Sequence, residues 1–256
     1  MNDQTAQTIS RPSQAWRERI FNLPPCREIK GRSRPTQRFA FESDCNKNIL
    51  YAEGGNELTA MLLFEHLWRV GYVVRYKPQP LNLLTIGGPD AIPDFLVELS
   101  TDELHIVEVK SGRFVTESVL NRFEMHRSFL KDVGIAHHLW TDTDPRNRTN
   151  KLNRETWHAV RHVYRGRSFE LDASTRARLE VYRATGIQRL GELMGANLFS
   201  WDQLVAAIHQ RILHIDITRA INENTKVLPT ISVSYYQYLF KDGDASASWW
   251  DSLPSM

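Results

Sequence analysis

Two short apolar runs, Ile92-Pro93-Asp94-Phe95-Leu96-Val97 and Leu104-His105-Ile106-Val107-Glu108-Val109-Lys110, constrain this chain more than any other stretch. They are separated by the polar Ser100-Thr101-Asp102-Glu103 and read as two β-strands joined by a turn. Three charged residues break the apolar pattern: Asp94, Glu108 and Lys110. Strand side chains alternate between faces, so Glu108 and Lys110 share one face and Val109 points the other way. Pairing as a hairpin sets Asp94, near the start of the first strand, beside Glu108, near the end of the second. Burying such groups costs several kcal/mol per ion unless they pair or bind metal. Two carboxylates and an ammonium at one edge of a sheet suit a divalent cation and an anionic substrate. A surface salt-bridge cluster would sit among polar residues, whereas Ile106, Val107 and Val109 surround Glu108.

The composition is that of an ordinary globular protein, 41% hydrophobic and 24% charged. Its 256 residues accommodate one large domain or two modest ones. Lys and Arg total 32 against 30 Asp and Glu, so affinity for nucleic acid must come from local clusters. No run of about 18 apolar residues occurs, and no membrane partner is expected. The first residues are polar and lack an apolar signal core. Cys26 and Cys45 are too few for a disulfide framework or a cysteine metal site. A cytoplasmic location is the expectation.

Residues 1–37 read as an N-terminal arm, partly disordered, in which Trp16 and Phe21 mix with Arg17, Arg19, Arg27, Lys30, Arg32 and Arg34. Pro24-Pro25 and Pro35 argue against long helices there. The arm either packs loosely on the domain or touches phosphates. Residues 54 to 70 have the spacing of an amphipathic helix, with Asn56 as N-cap and Gly71 as its end. Glu57 shares a face with Met61, Phe64 and Trp68. It is either a first-turn acid favoured by the helix dipole or a carboxylate aimed inward. Glu65 falls on a more polar side.

Tyr72 to Tyr76 reads as a strand, interrupted by Lys77-Pro78-Gln79-Pro80 and resumed by Leu81-Asn82-Leu83-Leu84. After the opening hairpin come a helix over 116–132 and a strand from Ile135 to Trp140, in which His137 and His138 face opposite ways. Helix, three strands, helix, strand predicts an α/β domain over 38–145, a mixed central sheet flanked by helices.

Beyond Asp144-Pro145 the composition shifts. Arg146, Arg148, Lys151, Arg154, Arg161, Arg165 and Arg167 meet a single acid, Glu155. This basic segment either tracks phosphates or is a solvated linker face. Amphipathic segments at 174–185, 186–195 and 201–212 precede β-like pieces at 215–217 and 226–228. Together they suggest a helical, winged-helix-like domain over 146–240. Residues 241–256 read as a flexible tail whose Trp249-Trp250 is either a partner anchor or part of a disordered end.

Hydrolysing a phosphodiester requires in-line attack by water, and carboxylate-held magnesium ions acidify that water and neutralise the developing charge. Mg2+ takes oxygen ligands and keeps waters, so two or three carboxylates suffice. Asp94 is the expected central ligand and Glu108 a second, with the Val109 carbonyl as an added oxygen and Glu57 from the helix. A pair of Mg2+ ions is expected, with Mn2+ able to substitute. Lys110 would orient the attacking water or stabilise the pentavalent oxygens. Gln79 either holds a site water or DNA from behind the ligands or is a turn position. Arg113, Arg146, Arg148, Lys151 and Arg154 are the candidate DNA contacts.

The core resembles the PD-(D/E)xK nuclease superfamily, and more closely TnsA, the endonuclease subunits of Tn7-like heteromeric transposases. The resemblance is carried by Asn56-Glu57 opening an apolar helix, Tyr76-Lys77-Pro78-Gln79-Pro80, Ile92-Pro93-Asp94-Phe95-Leu96-Val97 and Val107-Glu108-Val109-Lys110. It covers residues 38 to 142 and extends loosely to the C-terminal module. Glu42, in Phe41-Glu42-Ser43, is a rival for the helix acid. The resemblance implies a restriction-endonuclease-like core with catalysis by Glu57, Asp94, Glu108 and Lys110. It implies cleavage of the non-transferred strand at the 5′ ends of a transposon during cut-and-paste movement. It also implies three partners: double-stranded DNA at the transposon ends, an integrase-like transposase (TnsB), and an ATPase regulator (TnsC) bound through the C-terminal domain. A stand-alone restriction or repair nuclease, or a catalytically silent DNA-binding assembly subunit, are the alternatives.

Overall fold

The computed structural model describes residues 12–26, 37–143, 150–184, 186, 189–195, 198–228 and 233–241. Trp249-Trp250, Arg146 and Arg148 lie outside them. The elements run α1 (Gln14–Asn22), β1 (Phe39–Ser43), β2 (Asn48–Ala52), α2 (Gly55–Arg69), β3 (Val73–Pro78), β4 (Phe95–Leu99), β5 (Leu104–Lys110), α3 (Glu117–Asp132) and β6 (Ala136–Thr141). Then follow α4 (Arg154–Arg165), α5 (Ala173–Ala184), α6 (Leu190–Gly195), α7 (Trp201–His209) and a 3-10 segment, Val233–Phe240.

The central sheet has the order β3-β4-β5-β6. β3 and β5 run antiparallel to β4, and β6 runs parallel to β5, reached through α3. The sheet is therefore mixed and flanked by helices, as the element order predicts. Alternation sorts the side chains of β4 and β5 between two cores. Phe95, Val97, Val107 and Val109 face α2, and this cluster continues into α4, α7 and the closing 3-10 segment. Leu96, Leu104 and Ile106 face the other way, onto Ile20 of α1, Leu130 of α3, and Leu81 and Leu83. No helix among the described residues is long and apolar enough to cross a membrane.

Several elements differ from the sequence reading. Part of the expected loose arm is α1, capped by Ser13 and seated on the sheet. Arg17 is buried there with Glu98 and Asp102 at 2.9 and 2.6 Å. The Lys77 ammonium donates to the Ile20, Phe21 and Leu23 carbonyls that end the helix. A nine-residue helix is marginal by itself, and these long-range charge contacts are absent from any local reading. Phe39 to Ala52 forms a separate antiparallel hairpin, β1–β2, burying Phe41 and Leu50. Leu83–Ile86 is a 3-10 turn rather than a resumed strand. The pieces at 215–217 and 226–228 make no strand pair; the described residues show isolated bridges, Arg189 to Lys226 and His214 to Leu228. The basic segment contains a regular helix, α4, packed on α2.

Candidate active site

Asp94 stands one residue before β4, and the register Phe95–Val107 carries it opposite Glu108. Its carboxylate accepts the Val109 N–H at 2.8 Å and the Lys110 ammonium at 3.3 Å. Lys110 also donates to Glu108 at 3.3 Å. The structure thus brings Asp94, Glu108 and Lys110 together at the end of the hairpin. Their side chains are 18%, 15% and 33% exposed, so the group is desolvated yet open to a ligand.

Glu57 occupies the first turn of α2, whose start differs from the sequence reading. Gly54, at φ 126°, precedes the helix and Asn56 does not cap it. Instead the Glu57 carboxylate reaches back to accept the N–H of Glu53, the residue before the cap, at 2.7 Å, which ties the incoming chain to the first turn. Glu57 is therefore a first-turn acid and also lies within the field of Asp94 and Lys110. Burial raises its pKa to about 7; the Asp94 charge adds to the rise, while the Glu53 amide and Lys110 oppose it. Burial likewise raises Glu108, with Asp94 adding to the rise and Lys110 opposing. Burial alone would lower Lys110, but Asp94 and Glu108 hold it above the usual lysine value.

Two further residues support this corner: Asn56, which the sequence reading made only a helix cap, and Asp142, which it did not single out. Asn56 donates to the Lys110 carbonyl at 3.4 Å and to the Asp142 carboxylate. Asp142, just past β6, accepts from the Gly112 N–H at 2.7 Å and from the Ser111 hydroxyl at 3.2 Å. Burial would raise the Asp142 pKa, but these donors hold it below the usual carboxylate value. The clamp ties the start of α2 and the ends of β5 and β6 into one unit. The available signal was an acid placed directly after an apolar strand, as Asp94 lies directly before one. Gly112 makes the clamp possible, because an added Cβ would lie 1.9 Å from the Thr143 carbonyl oxygen. Gly112→Ala is expected to lower stability by about 1–3 kcal/mol and to displace Lys110. Urea melts and the strength of divalent-cation binding check both effects.

Gln79 is buried beside this corner at φ 47°, a conformation uncommon outside glycine. Its N–H donates to the Asp94 carbonyl at 2.8 Å, and its carbonyl accepts from Cys26 at 2.9 Å. It links the chain leaving α1 to the backbone of Asp94. Glu42 lies elsewhere, bound to Arg167 at 2.6 Å. Arg113 is exposed in the turn after β5 and stacks over Phe114 at 4.6 Å. Lys151 donates to the Tyr238 carbonyl at 3.2 Å and lies over its ring. Arg154 is exposed at the start of α4.

No protein-family model matches the chain, and no curated protein matches it.

Glu65 lies inside the protein, not on a polar side. It accepts from the Ser43 hydroxyl, from Tyr76 at 2.8 Å and from the Asp44 and Cys45 amides. This network fixes the β1–β2 turn on α2. His138 bonds His105 at 2.8 Å on one sheet face. His137 packs on Phe123 on the other, as alternation requires.

Among the described residues, no group of three or more His, Cys, Asp or Glu forms a ready metal cage. Two converging carboxylates nevertheless match what Mg2+ asks of a protein, since it retains most of its waters. Hard oxygen donors whose negative charge is disfavoured by burial are the groups that a divalent cation relieves. The sign of the pH effect follows. Glu57 binds more protons folded than unfolded between its ordinary value, 4.5, and about 7. Its contribution to stability is full below 4.5 and is lost as pH rises through about 7. Glu108 shifts in the same direction. Without divalent cations, the melting temperature is expected to fall across this window, and Glu108→Gln to flatten the fall. Added Mg2+ should restore the wild type at pH 8 but not the variant, as thermal melts would show.

Proposed function

We propose that the protein is a magnesium-dependent DNA endonuclease with a restriction-endonuclease-like core. In this reading it is the subunit of a Tn7-like transposase that cuts the non-transferred strand at the 5′ ends of the element. The observation that carries the reading is the meeting of Asp94, Glu108 and Lys110 at the end of one hairpin, with Glu57 beside them. Asp94 and Glu108, with the Val109 carbonyl, would hold Mg2+, and Glu57 would support it from α2. When bound, the metal supplies charge neutralisation and a more acidic water.

The remaining work falls to the chain's own groups. Lys110, kept protonated by two carboxylates, presents an ammonium to the phosphoryl oxygens as negative charge grows on them. Asp94, fixed by the Val109 amide and by Gln79, keeps its carboxylate at one position without reorganisation. The Asn56–Asp142 clamp holds the strand end that carries Lys110. The helical part after β6 is proposed to act as a winged-helix-like module that binds an ATPase regulator, beside an integrase-like partner. Incubation of the full chain with those partners, Mg2+ and a transposon-end duplex tests the reading. Nicks confined to the non-transferred strand are expected; equal cutting of both strands by the chain alone would indicate an independent nuclease.

A further inference from the structure

We propose that the outward face of α4 is a phosphate-binding track that carries duplex DNA away from the candidate active site. This rests on the nuclease reading for its substrate, but it is assigned from a different element. Arg154, His158, Arg161 and Arg165 are spaced by four, three and four residues, and all four are exposed. At 3.6 residues per turn these four positions form one stripe. It lies opposite Thr156, Ala159, Val160 and Val163, the buried face of the same helix.

The content of the stripe is unusual for a solvated helix face, which ordinarily mixes signs at i,i+4. No carboxylate pairs with Arg154, Arg161 or Arg165 among the described residues. Arg17, Arg69, Arg75 and Arg167, by contrast, each pair with an acid. Arg154 begins the helix, where the dipole disfavours a cation. Arg161 stacks on the Trp157 ring at 4.6 Å, which fixes its guanidinium. Arginine suits phosphate because its planar fork matches the oxygens.

The placement of α4 connects this stripe to the site. The Leu152 N–H donates to the Thr141 carbonyl at 2.9 Å, and Thr141 is the register partner of Lys110. α4 therefore starts at the sheet end that carries the site. It finishes near β1, where Tyr164 donates to the Glu42 carbonyl at 3.0 Å, beside the turn that Glu65 anchors to the later turns of α2. The stripe spans about 16 Å at the helical rise. That length faces about five phosphates of one strand at roughly 3.4 Å each.

The test is fluorescence anisotropy of a labelled duplex with the full chain, without divalent cations so that nothing is cut, between about 50 and 200 mM NaCl. Arg154→Gln/Arg161→Gln/Arg165→Gln is expected to make the salt slope shallower by about 2 to 3. A charge-matched control at the exposed Arg19, Lys131 and Lys226, each changed to Gln, is expected to keep the wild-type slope. Should the triple variant melt early, Arg165→Gln alone is expected to remove about 0.9 of the slope. An unchanged slope, an equal loss in the control, or a wild type that binds no duplex would overturn the track; the last result would leave an acidic protein as the partner. Adding Mg2+ to the wild type separates the two proposals: a wild type that binds with this slope and never cuts keeps the track and removes the nuclease.

Discussion

Asp94→Asn is expected to lower magnesium-dependent strand cleavage by about 10³-fold or more, a barrier increase of roughly 4 kcal/mol. The amide keeps the shape and can still accept the Val109 N–H, so the β4–β5 corner should persist. What disappears is the negative charge that would hold a divalent cation and that now pairs with Lys110. The melting temperature and the salt slope of DNA binding are expected to stay at wild-type values. Lys110→Met is the companion variant, with an expected loss of about 10²- to 10³-fold, the range for removing one group that stabilises a developing oxyanion. Cleavage at the wild-type rate by Asp94→Asn would remove Asp94 from the chemistry. It would turn attention to Glu57, Glu108 and Asp142, the remaining carboxylates at this corner.

The second large effect concerns stability. A chain ending at Thr143 is expected not to fold, although it contains every strand of the central sheet. Ala159, Val160 and Val163 of α4 belong to the same apolar cluster as Phe64 of α2 and Val107 of β5. From the last described segment, Tyr236 is buried against His66, with which it shares a hydrogen bond of 2.9 Å. Phe240 packs on Tyr72, His105, His138 and Trp140. Removing all of these would expose the α2 face of the sheet to water. Phe240→Ala isolates one contribution and is expected to cost about 3–5 kcal/mol. Chemical denaturation of the variant and the far-ultraviolet spectrum of the shortened chain check the two statements. A cooperative melt for the chain ending at Thr143 would show that the sheet and α2 form an independent unit.

The parts of this molecule legible in its sequence are those written by local rules. The hairpin β4–β5 was visible because a period of two, a polar turn and strand length agree over a dozen residues. The same alternation determined that Glu108 and Lys110 share a face, and hairpin pairing put Asp94 opposite them. The amphipathic spacing of α2 placed Glu57 at a helix start near that edge. The β1–β2 hairpin was missed although Phe39 and Phe41 alternate with Ala40 and Glu42, because each strand is only five residues long and the first ends in the polar Glu42 and Ser43.

Tertiary structure decided what depends on residues far apart in the chain. Glu65 sits on a helix position that looks polar, and it is buried because Ser43, Tyr76 and two turn amides converge on its carboxylate. Arg17 makes α1 part of the fold through Glu98 and Asp102, more than eighty positions away. The roles of Asn56 and Asp142 follow from the meeting of α2, β5 and β6, which no spacing rule encodes. The sequence by itself determined which charged groups share one strand edge, because the backbone repeat fixes the direction of each side chain. Only the packed structure decided what surrounds that edge, because burial and hydrogen bonding depend on which distant segments close over it.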